Sequence, residues 1–161
     1  TWDSPLAQRM GSALGRAFRA KGANGVLGPS TDLVLVPSAG RNVESLSGED
    51  GHLGAPLAAA FVRGIQSNGV AAVAKHFIGA TQELHREALN AVIDERTLFE
   101  VHYPPYMAMI EADVAAVMCA YHKVNGLYAC TNPELLQNHL KGVSGRRTRT
   151  RGTSPPATTV R

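Results

Sequence analysis

Three side chains have the types that a binding site for a hydroxyl-rich ligand requires. Such a site needs charged groups that form directional hydrogen bonds with several hydroxyls, and a planar guanidinium or a lysine beside a histidine can do this. Arg41, Lys75 and His76 meet that description. Taken alone, they also fit the ordinary roles of a solvated loop arginine, a surface lysine and a capping histidine. The residue types therefore permit such a site without requiring it.

The elements that must position these side chains alternate between strands and helices. Apolar runs without polar alternation are typical of strands buried on both faces of a parallel sheet, and they occur at 25–27, 33–36, 70–74 and 114–118. The first helix is predicted to begin at Ser4 and Pro5 and to end before Gly22. Further helices are predicted over 57–67, 95–112 and 132–140.

This alternation predicts an α/β fold with a parallel sheet, either a doubly wound sheet or a (β/α)8 barrel. In a barrel the chemistry lies on loops after the strands, and the residues that fall at such places are Arg41, Lys75, His76 and Tyr121. A complete barrel needs about 250 residues. We therefore expect these 161 residues to form a partial (β/α)8 TIM-type barrel.

The charge of the chain is uneven. The 16 basic and 13 acidic residues give a formal net charge of +3, but six of the basic residues and no acidic residue lie in 141–161. The rest of the chain therefore carries −3, which argues against a nucleic-acid partner. No apolar run is long enough for a membrane span, and the start shows no signal-peptide pattern. We expect neither a nucleic-acid nor a membrane partner.

The segment 142–161 differs from the rest because it has only Val143 and Val160 as sizeable apolar residues. It is predicted to be a basic, disordered tail that follows a folded region at 1–141. A frameshift or mispredicted splice is an alternative hypothesis. With codons ending in G, GTSPPATTVR read one base earlier can encode a segment that contains aspartate.

Five segments, in this order and spacing, resemble glycoside hydrolase family 3: GRNVESLSGED at 40–50, GVAAVAKHF at 69–77, QELHR at 82–86, DERTLFEVHYPPY at 94–106 and VMCAYHKVNG at 117–126. The resemblance covers about residues 1–141. It implies the middle of an N-terminal (β/α)8 barrel whose pocket holds a terminal sugar. The intact parent would be a β-glucosidase-like enzyme of carbohydrate catabolism that hydrolyses terminal β-linked glucose from β-glucosides or oligosaccharides.

The resemblance assigns six residues to substrate binding. The positions that match the family's pocket and its wall are Arg41, Lys75, His76, Arg86, Met118 and Tyr121. Leu35 and Ala80 depart from polar family residues, and each removes hydrogen-bonding capacity near the barrel mouth. Glu44, Glu49 and Asp50 are interpreted as residues that brace loops.

No residue of this chain is assigned to catalysis. Retaining glycosidases use two carboxyl groups about 5 to 5.5 Å apart. The family's nucleophile is an aspartate that ends the next strand, its acid/base comes from a later domain or loop, and residues 142–161 contain neither Asp nor Glu. We therefore expect the chain alone to be inactive. The alternative to a working hydrolase is an inactive sugar-binding fragment or pseudoenzyme.

The two cysteines, Cys119 and Cys130, leave two interpretations open. Secreted family members have a pair at this spacing, which implies a disulfide and a secreted or extracellular parent, whereas free buried thiols are the alternative. The six histidines show neither HExxH nor a cysteine and histidine grouping at zinc spacing. We expect no metal and no cofactor, and the oligomeric state is not indicated.

Overall fold

The computed structural model describes residues 2–143, 150–153 and 157–160. Helices alternate with strands in the first half, in the order α1 Ser4–Ala20, β1 Gly25–Val26, α2 Gly51–Gln66 and β2 Ala71–Phe77. The second half contains β3 Asn90–Ala91, α3 Glu95–Thr97 with a π-type turn Leu98–His102, α4 Pro104–Glu111, β4 Ala116–Cys119, β5 Lys123–Val124, β6 Leu127–Tyr128, a π-type helix Glu134–Val143, β7 Thr150–Thr153 and β8 Ala157–Val160. Short 3-10 helices lie at Asn42–Glu44 and Ala129–Thr131.

The main sheet has the strand order β1-β2-β4-β8-β7. Strands β1 and β2 are parallel, with Gly25 opposite Ala71, and β2 and β4 are parallel, with Val73 opposite Ala116. Strand β8 pairs with β4 in the antiparallel sense. A smaller sheet joins β3, β5 and β6. The predicted α/β fold with buried parallel strands near 70–74 and 114–118 is confirmed.

The core lies between the sheet and the helices. Its largest fully buried side chains include Phe77 on β2 together with Tyr106 and Met109 on α4. The Phe77 ring stacks on the Tyr103 ring at 5.6 Å between centroids and meets the Tyr106 ring edge-on at 5.1 Å. This aromatic cluster anchors the far end of β2, the strand that contains Lys75 and His76.

Helix α1 begins at Ser4, as predicted, although its capping residue differs from the expected one, and the predicted start of α2 was wrong. Asp3, not Ser4, caps α1, and its carboxylate accepts a hydrogen bond from the Leu6 amide at 3.1 Å. Asp50 caps α2 by accepting from the His52 amide at 2.8 Å, so this helix begins at Gly51 rather than residue 57. Asp50 thus has the bracing role that the sequence suggested.

The helix predicted over 95–112 is not continuous. It divides into α3, a π-type turn and α4. Pro104 and Pro105 lie at the break, and a proline removes a backbone donor and clashes with the preceding turn. The last predicted helix is present, but its hydrogen bonding is of the π type.

The strand predicted at 33–36 was wrong. Leu33 is buried, but Leu35 is half exposed, so the apolar run is not buried on both faces. The Val34 amide donates to the Gly48 carbonyl at 2.8 Å, which ties the segment to the following loop rather than to a strand. The backbone bridge to β2 lies at Ser30, opposite Lys75. This region is therefore a folded loop that packs beside the end of β2.

Strands β7 and β8 lie within the segment 142–161, for which disorder was predicted. Threonine and valine at 157–160 favour extended backbone, and β8 pairs Val160 with Val117 of β4. Residues 144–149, 154–156 and 161 lie outside the described part. The division at 141 and the frameshift hypothesis remain predictions.

Helices α1 and α2 approach each other closely because three glycines line the contact, at positions 11, 15 and 64. A Cβ on Gly64 would collide with the Gln8 carbonyl and lie 2.8 Å from the Ser12 amide nitrogen. Both are backbone atoms, so only a movement of the helices can relieve the overlap.

We expect Gly64→Ala to lower the free energy of unfolding. Overpacking costs about 1 to 3 kcal/mol, against which the better helix propensity of alanine returns about 1 kcal/mol. Denaturant unfolding measures the change. Gly40→Ala is the matched control, since a Cβ there has no atom within 4 Å. A Gly64→Ala variant that is more stable than Gly40→Ala would show that α1 and α2 do not pack in this way.

No helix among the described residues is long and apolar enough to cross a membrane.

Candidate functional site

The candidate site forms where the end of β2 meets the loop 30–47. Asn42, the first residue of the 3-10 helix Asn42–Glu44, holds this loop in place. Its side-chain Nδ2 donates to the backbone carbonyls of Val36 at 3.0 Å and Pro37 at 3.1 Å. Arg41 directly precedes that helix. Lys75 and His76 lie within β2 and not after it, since the strand continues to Phe77. The strand end predicted at Ala74 was therefore wrong, although the two residues do reach the same site.

Glu44 joins two basic residues of the site. Its carboxylate accepts from Arg41 Nε at 2.8 Å and from Arg41 Nη2 at 3.2 Å, and Lys75 Nζ lies 2.7 Å from Oε2. The hydrogen bonds from Arg41 and then Lys75 lower the pKa of Glu44 from 4.5 to about 2. The Glu44 hydrogen bond in turn raises the pKa of Arg41. Glu44 is therefore ionised at neutral pH and holds two cations in place.

We expect the Glu44 interactions to be lost at acid pH. The folded pKa lies below the ordinary value, so the carboxylate stabilises the fold above about pH 4.5 and loses this effect as the pH falls to about 2. The side chain is 36% exposed, so solvent screening limits the contribution to less than about 1 kcal/mol.

Thermal unfolding of wild type and Glu44→Gln from pH 7 to pH 2 tests this expectation. The wild type should unfold at the higher temperature at pH 7, and the gap should close near pH 2. Glu49→Gln, at an exposed neighbouring glutamate, is the control. A gap of constant size across the whole range would contradict the assignment.

His76 lies between an acid and a base. Its Nδ1 is 2.8 Å from Asp32 Oδ2, and its Nε2 is 3.3 Å from Arg41 Nη2. The His76 side chain is 11% exposed and that of Asp32 is 13% exposed. These contacts fix the imidazole plane at one wall of the site.

Glu83 and Tyr121 position the second arginine. Arg86 Nη1 donates to Glu83 Oε2 at 2.9 Å, and Arg41 Nη1 lies 3.7 Å from Glu83 Oε1. The Arg86 guanidinium carbon is 4.8 Å from the centre of the Tyr121 ring, within the range of a cation–π contact. Glu83 therefore links the guanidinium groups of Arg41 and Arg86.

Two adjoining cavities of about 320 and 260 Å³ run between these side chains. Residues that line both cavities are Arg41, His76, Ala80, Gln82 and Glu83. Arg86 and Tyr121 line the smaller one. Four of the six predicted residues thus meet at one place.

Lys75 and Met118 line neither cavity. Lys75 remains connected to the site through Glu44. Met118 is a partly buried residue of β4, where it pairs with Thr159 of β8. Its assignment to the sugar pocket rests on the motif alone and stays a prediction.

The sequence reasoning missed Asp32 and Gln82 as site residues, and it overlooked the role of Glu83. Gln82 and Glu83 belong to the QELHR segment, so their proximity to Arg86 was a usable signal. Asp32 precedes the apolar run that was interpreted as a strand, and its contact with His76 spans 44 positions. No local pattern reports such a contact.

Three buried polar side chains lie near the site: Tyr106 on α4, His102 at the end of the π-type turn before α4, and His122 in the loop after β4. Burial lowers the pKa of both His102 and His122 and raises that of Tyr106. The nearby Asp32 charge opposes this effect for the two histidines. Burial therefore favours their uncharged forms.

A disulfide joins Cys119, the last residue of β4, to Cys130 in the 3-10 helix Ala129–Thr131. It closes the loop that contains Tyr121 and His122, and thereby ties the Tyr121 ring to the end of the sheet. Within the described part of the chain, no group of three or more His, Cys, Asp and Glu residues could hold a metal ion.

Comparisons with known proteins agree with this picture. The family described as "Glycosyl hydrolase family 3 N terminal domain" matches residues 1–145. A beta-glucosidase from Rhizobium radiobacter is 43% identical over 142 residues, covering 88% of this chain and 17% of the relative. A probable beta-glucosidase E from Emericella nidulans is 44% identical over 154 residues, covering 90% of this chain and 15% of the relative.

Solved structures give the same result. The beta-glucosidase DesR from Streptomyces venezuelae, in complex with D-glucose, superposes with a TM-score of 0.86 at 40% identity, over 89% of this chain and 18% of that protein. Beta-glucosidase 3B from Thermotoga neapolitana, in complex with glucose, also has a TM-score of 0.86, at 34% identity over 89% of this chain and 20% of that protein. The chain therefore spans about a fifth or less of the length of these relatives.

Proposed function

We propose, because this chain belongs to glycosyl hydrolase family 3, that it forms the sugar-binding wall of a β-glucosidase-like enzyme. The intact parent hydrolyses O-glycosyl bonds of terminal β-linked glucose in β-glucosides or oligosaccharides. The described strands and helices constitute part of its (β/α)8 barrel. Sugar binding by this chain and bond cleavage by the parent are distinct events, and a separate experiment measures each of them.

One observation carries the proposal: Arg41, His76, Arg86 and Tyr121 converge on two adjoining cavities. Guanidinium groups donate several directional hydrogen bonds, which suits a ring with many hydroxyls. The Tyr121 ring adds an apolar surface beside them. Relatives that share this fold at 34% to 40% identity are described in complex with glucose, which supports a sugar as ligand.

The acidic residues of the site serve to orient the basic ones. Glu44 holds Arg41 and Lys75, and Glu83 holds Arg41 and Arg86. A hydroxyl that enters the cavity therefore meets fixed donors, and little side-chain entropy remains to be lost on binding.

A second candidate, sugar binding without cleavage, is favoured for the chain on its own. Glu44 has a pKa of about 2 and is ionised at neutral pH, so it cannot donate a proton to a leaving group. Glu83 contacts two arginines, and Asp32 contacts His76. The carboxylates that line the cavities are thus already engaged in positioning.

Glucose titration of the chain, followed by calorimetry, tests the binding step. We expect Arg41→Ala to weaken binding about tenfold or more, since a hydrogen bond from a charged group contributes about 1.5 to 3 kcal/mol. Arg9→Ala, at an exposed arginine of α1, is the matched control and should bind as the wild type does. Glucose binding that is absent in the wild type, or equal in the two variants, would contradict the proposal.

A further inference from the structure

We propose that Asp32 is a positioning residue of this site. It holds His76 as the tautomer protonated on Nδ1, so that the lone pair on Nε2 faces Arg41 and helps to hold the guanidinium in the cavity. The consequence for sugar affinity rests on the proposed function, whereas the tautomer itself does not. Neither the motifs nor the resemblance pointed to Asp32.

Three hydrogen bonds converge on one oxygen of Asp32. Its Oδ2 lies 2.8 Å from His76 Nδ1, 3.2 Å from the His76 backbone nitrogen and 3.0 Å from Ser30 Oγ. The backbone and ring contacts with a single residue fix both the position of His76 and the plane of its imidazole. The other oxygen, Oδ1, is buried.

The partners on either side of the ring determine where its proton lies. An ionised carboxylate only accepts hydrogen bonds, and a guanidinium only donates them. Nδ1 must therefore donate to Asp32, and Nε2 must accept from Arg41 Nη2 at 3.3 Å. The opposite tautomer would turn an N–H towards the guanidinium and a bare nitrogen towards the carboxylate. The partner of one ring nitrogen thus sets the role of the other.

Arg41 depends on this arrangement because its other contacts are more open to solvent. Glu44 is 36% and Glu83 31% exposed, whereas His76 is 11% exposed. Solvent screens the two carboxylate contacts more than the imidazole contact. If the Nε2 lone pair is lost, Arg41 keeps only contacts with carboxylates on the more open side of the site.

The tautomer is measured directly by long-range ¹H–¹⁵N correlation spectra of the ¹⁵N-labelled chain at neutral pH. A His76→Gln variant identifies the His76 signals. In the wild type, we expect Nδ1 to have the shift of a protonated nitrogen and Nε2 that of a bare one. A wild-type His76 protonated on Nε2 would overturn the proposal without any further variant.

The variants Asp32→Leu and Asp32→Asn distinguish the loss of the hydrogen-bond acceptor at position 32 from a change of side chain that keeps an acceptor. Leucine has the same branching without an acceptor, so His76 should change to the Nε2-protonated form or a mixture, and glucose affinity should fall about tenfold as Arg41 loses its fixed position. Asparagine retains an acceptor oxygen and should keep the Nδ1-protonated form and most of the affinity. His52 and His85, which are exposed, should show unchanged spectra in both variants.

Two outcomes distinguish the failure of this inference from the failure of the proposed function. An Asp32→Leu variant that keeps the Nδ1-protonated form would overturn the role of Asp32, whatever the glucose result. If the tautomers behave as expected but neither the wild type nor any variant binds glucose, the proposed function fails. The role of Asp32 in fixing His76 then stands.

Discussion

The 161-residue chain should hydrolyse an aryl β-glucoside no faster than a buffer blank. A retaining glycosidase needs one carboxylate at the anomeric carbon and a second carboxyl group that protonates the leaving oxygen, about 5 to 5.5 Å apart. Residues that act as such a unit account for several orders of magnitude in rate, roughly 10³-fold or more. Groups that position the sugar cannot replace them.

The carboxylates among the described residues that line the cavities contact basic side chains. Glu44 has a pKa of about 2, because Arg41 and Lys75 donate to it, and is therefore no proton donor at neutral pH. Glu83 lies between Arg41 and Arg86. Both are better described as residues that orient cations than as a nucleophile or an acid.

The assay needs two comparisons. Arg41→Ala controls for contaminating activity, and a full-length β-glucosidase relative, such as that from Rhizobium radiobacter, serves as the positive control. Turnover by this chain that Arg41→Ala abolishes would overturn the view that it binds without cleaving. Turnover of equal rate in the wild type and Arg41→Ala would indicate a contaminant.

Loss of the disulfide should strongly lower the free energy of unfolding. Cys119 and Cys130 are 11 positions apart. A disulfide that closes a loop of about this length lowers the conformational entropy of the unfolded chain and thereby stabilises the folded state by about 2 to 3 kcal/mol. Replacing both cysteines by alanine should lower the free energy of unfolding by that amount. It should also weaken glucose binding, because the loop contains Tyr121.

Denaturant unfolding with and without a reductant measures this effect. The reductant should shift the midpoint of the wild type towards that of the double variant and leave the double variant unchanged. A wild-type midpoint that does not respond to complete reduction would show that the bond contributes little to stability.

The sequence predicted the framework of the sheet because buried parallel strands leave a strong signal. The runs near 70–74 and 114–118 contain no polar residue, and they form the paired strands β2 and β4. The run at 33–36 is also entirely apolar but forms a loop. The Val34 amide donates to the Gly48 carbonyl and the Leu35 amide to the Leu33 carbonyl, and the exposure of Leu35 depends on packing that a single segment does not report.

The candidate site was predictable only where motifs existed. Arg41, His76, Arg86 and Tyr121 belong to segments with a family resemblance, and the structure brings them together. Asp32 belongs to none of these segments, and its role depends on a side-chain contact across the fold. Met118 is the opposite case from Asp32: it belongs to a motif, but it lines neither cavity.

The location of bound glucose tests the central claim most directly. Nuclear Overhauser contacts between glucose protons and side chains of the labelled chain report this location. We expect contacts with the Tyr121 ring and the His76 imidazole, and none with Trp2, which is exposed and lines neither cavity. Two results would contradict the proposed sugar site. One is glucose that contacts other side chains but neither Tyr121 nor His76, and the other is the absence of any glucose contact at every concentration tested.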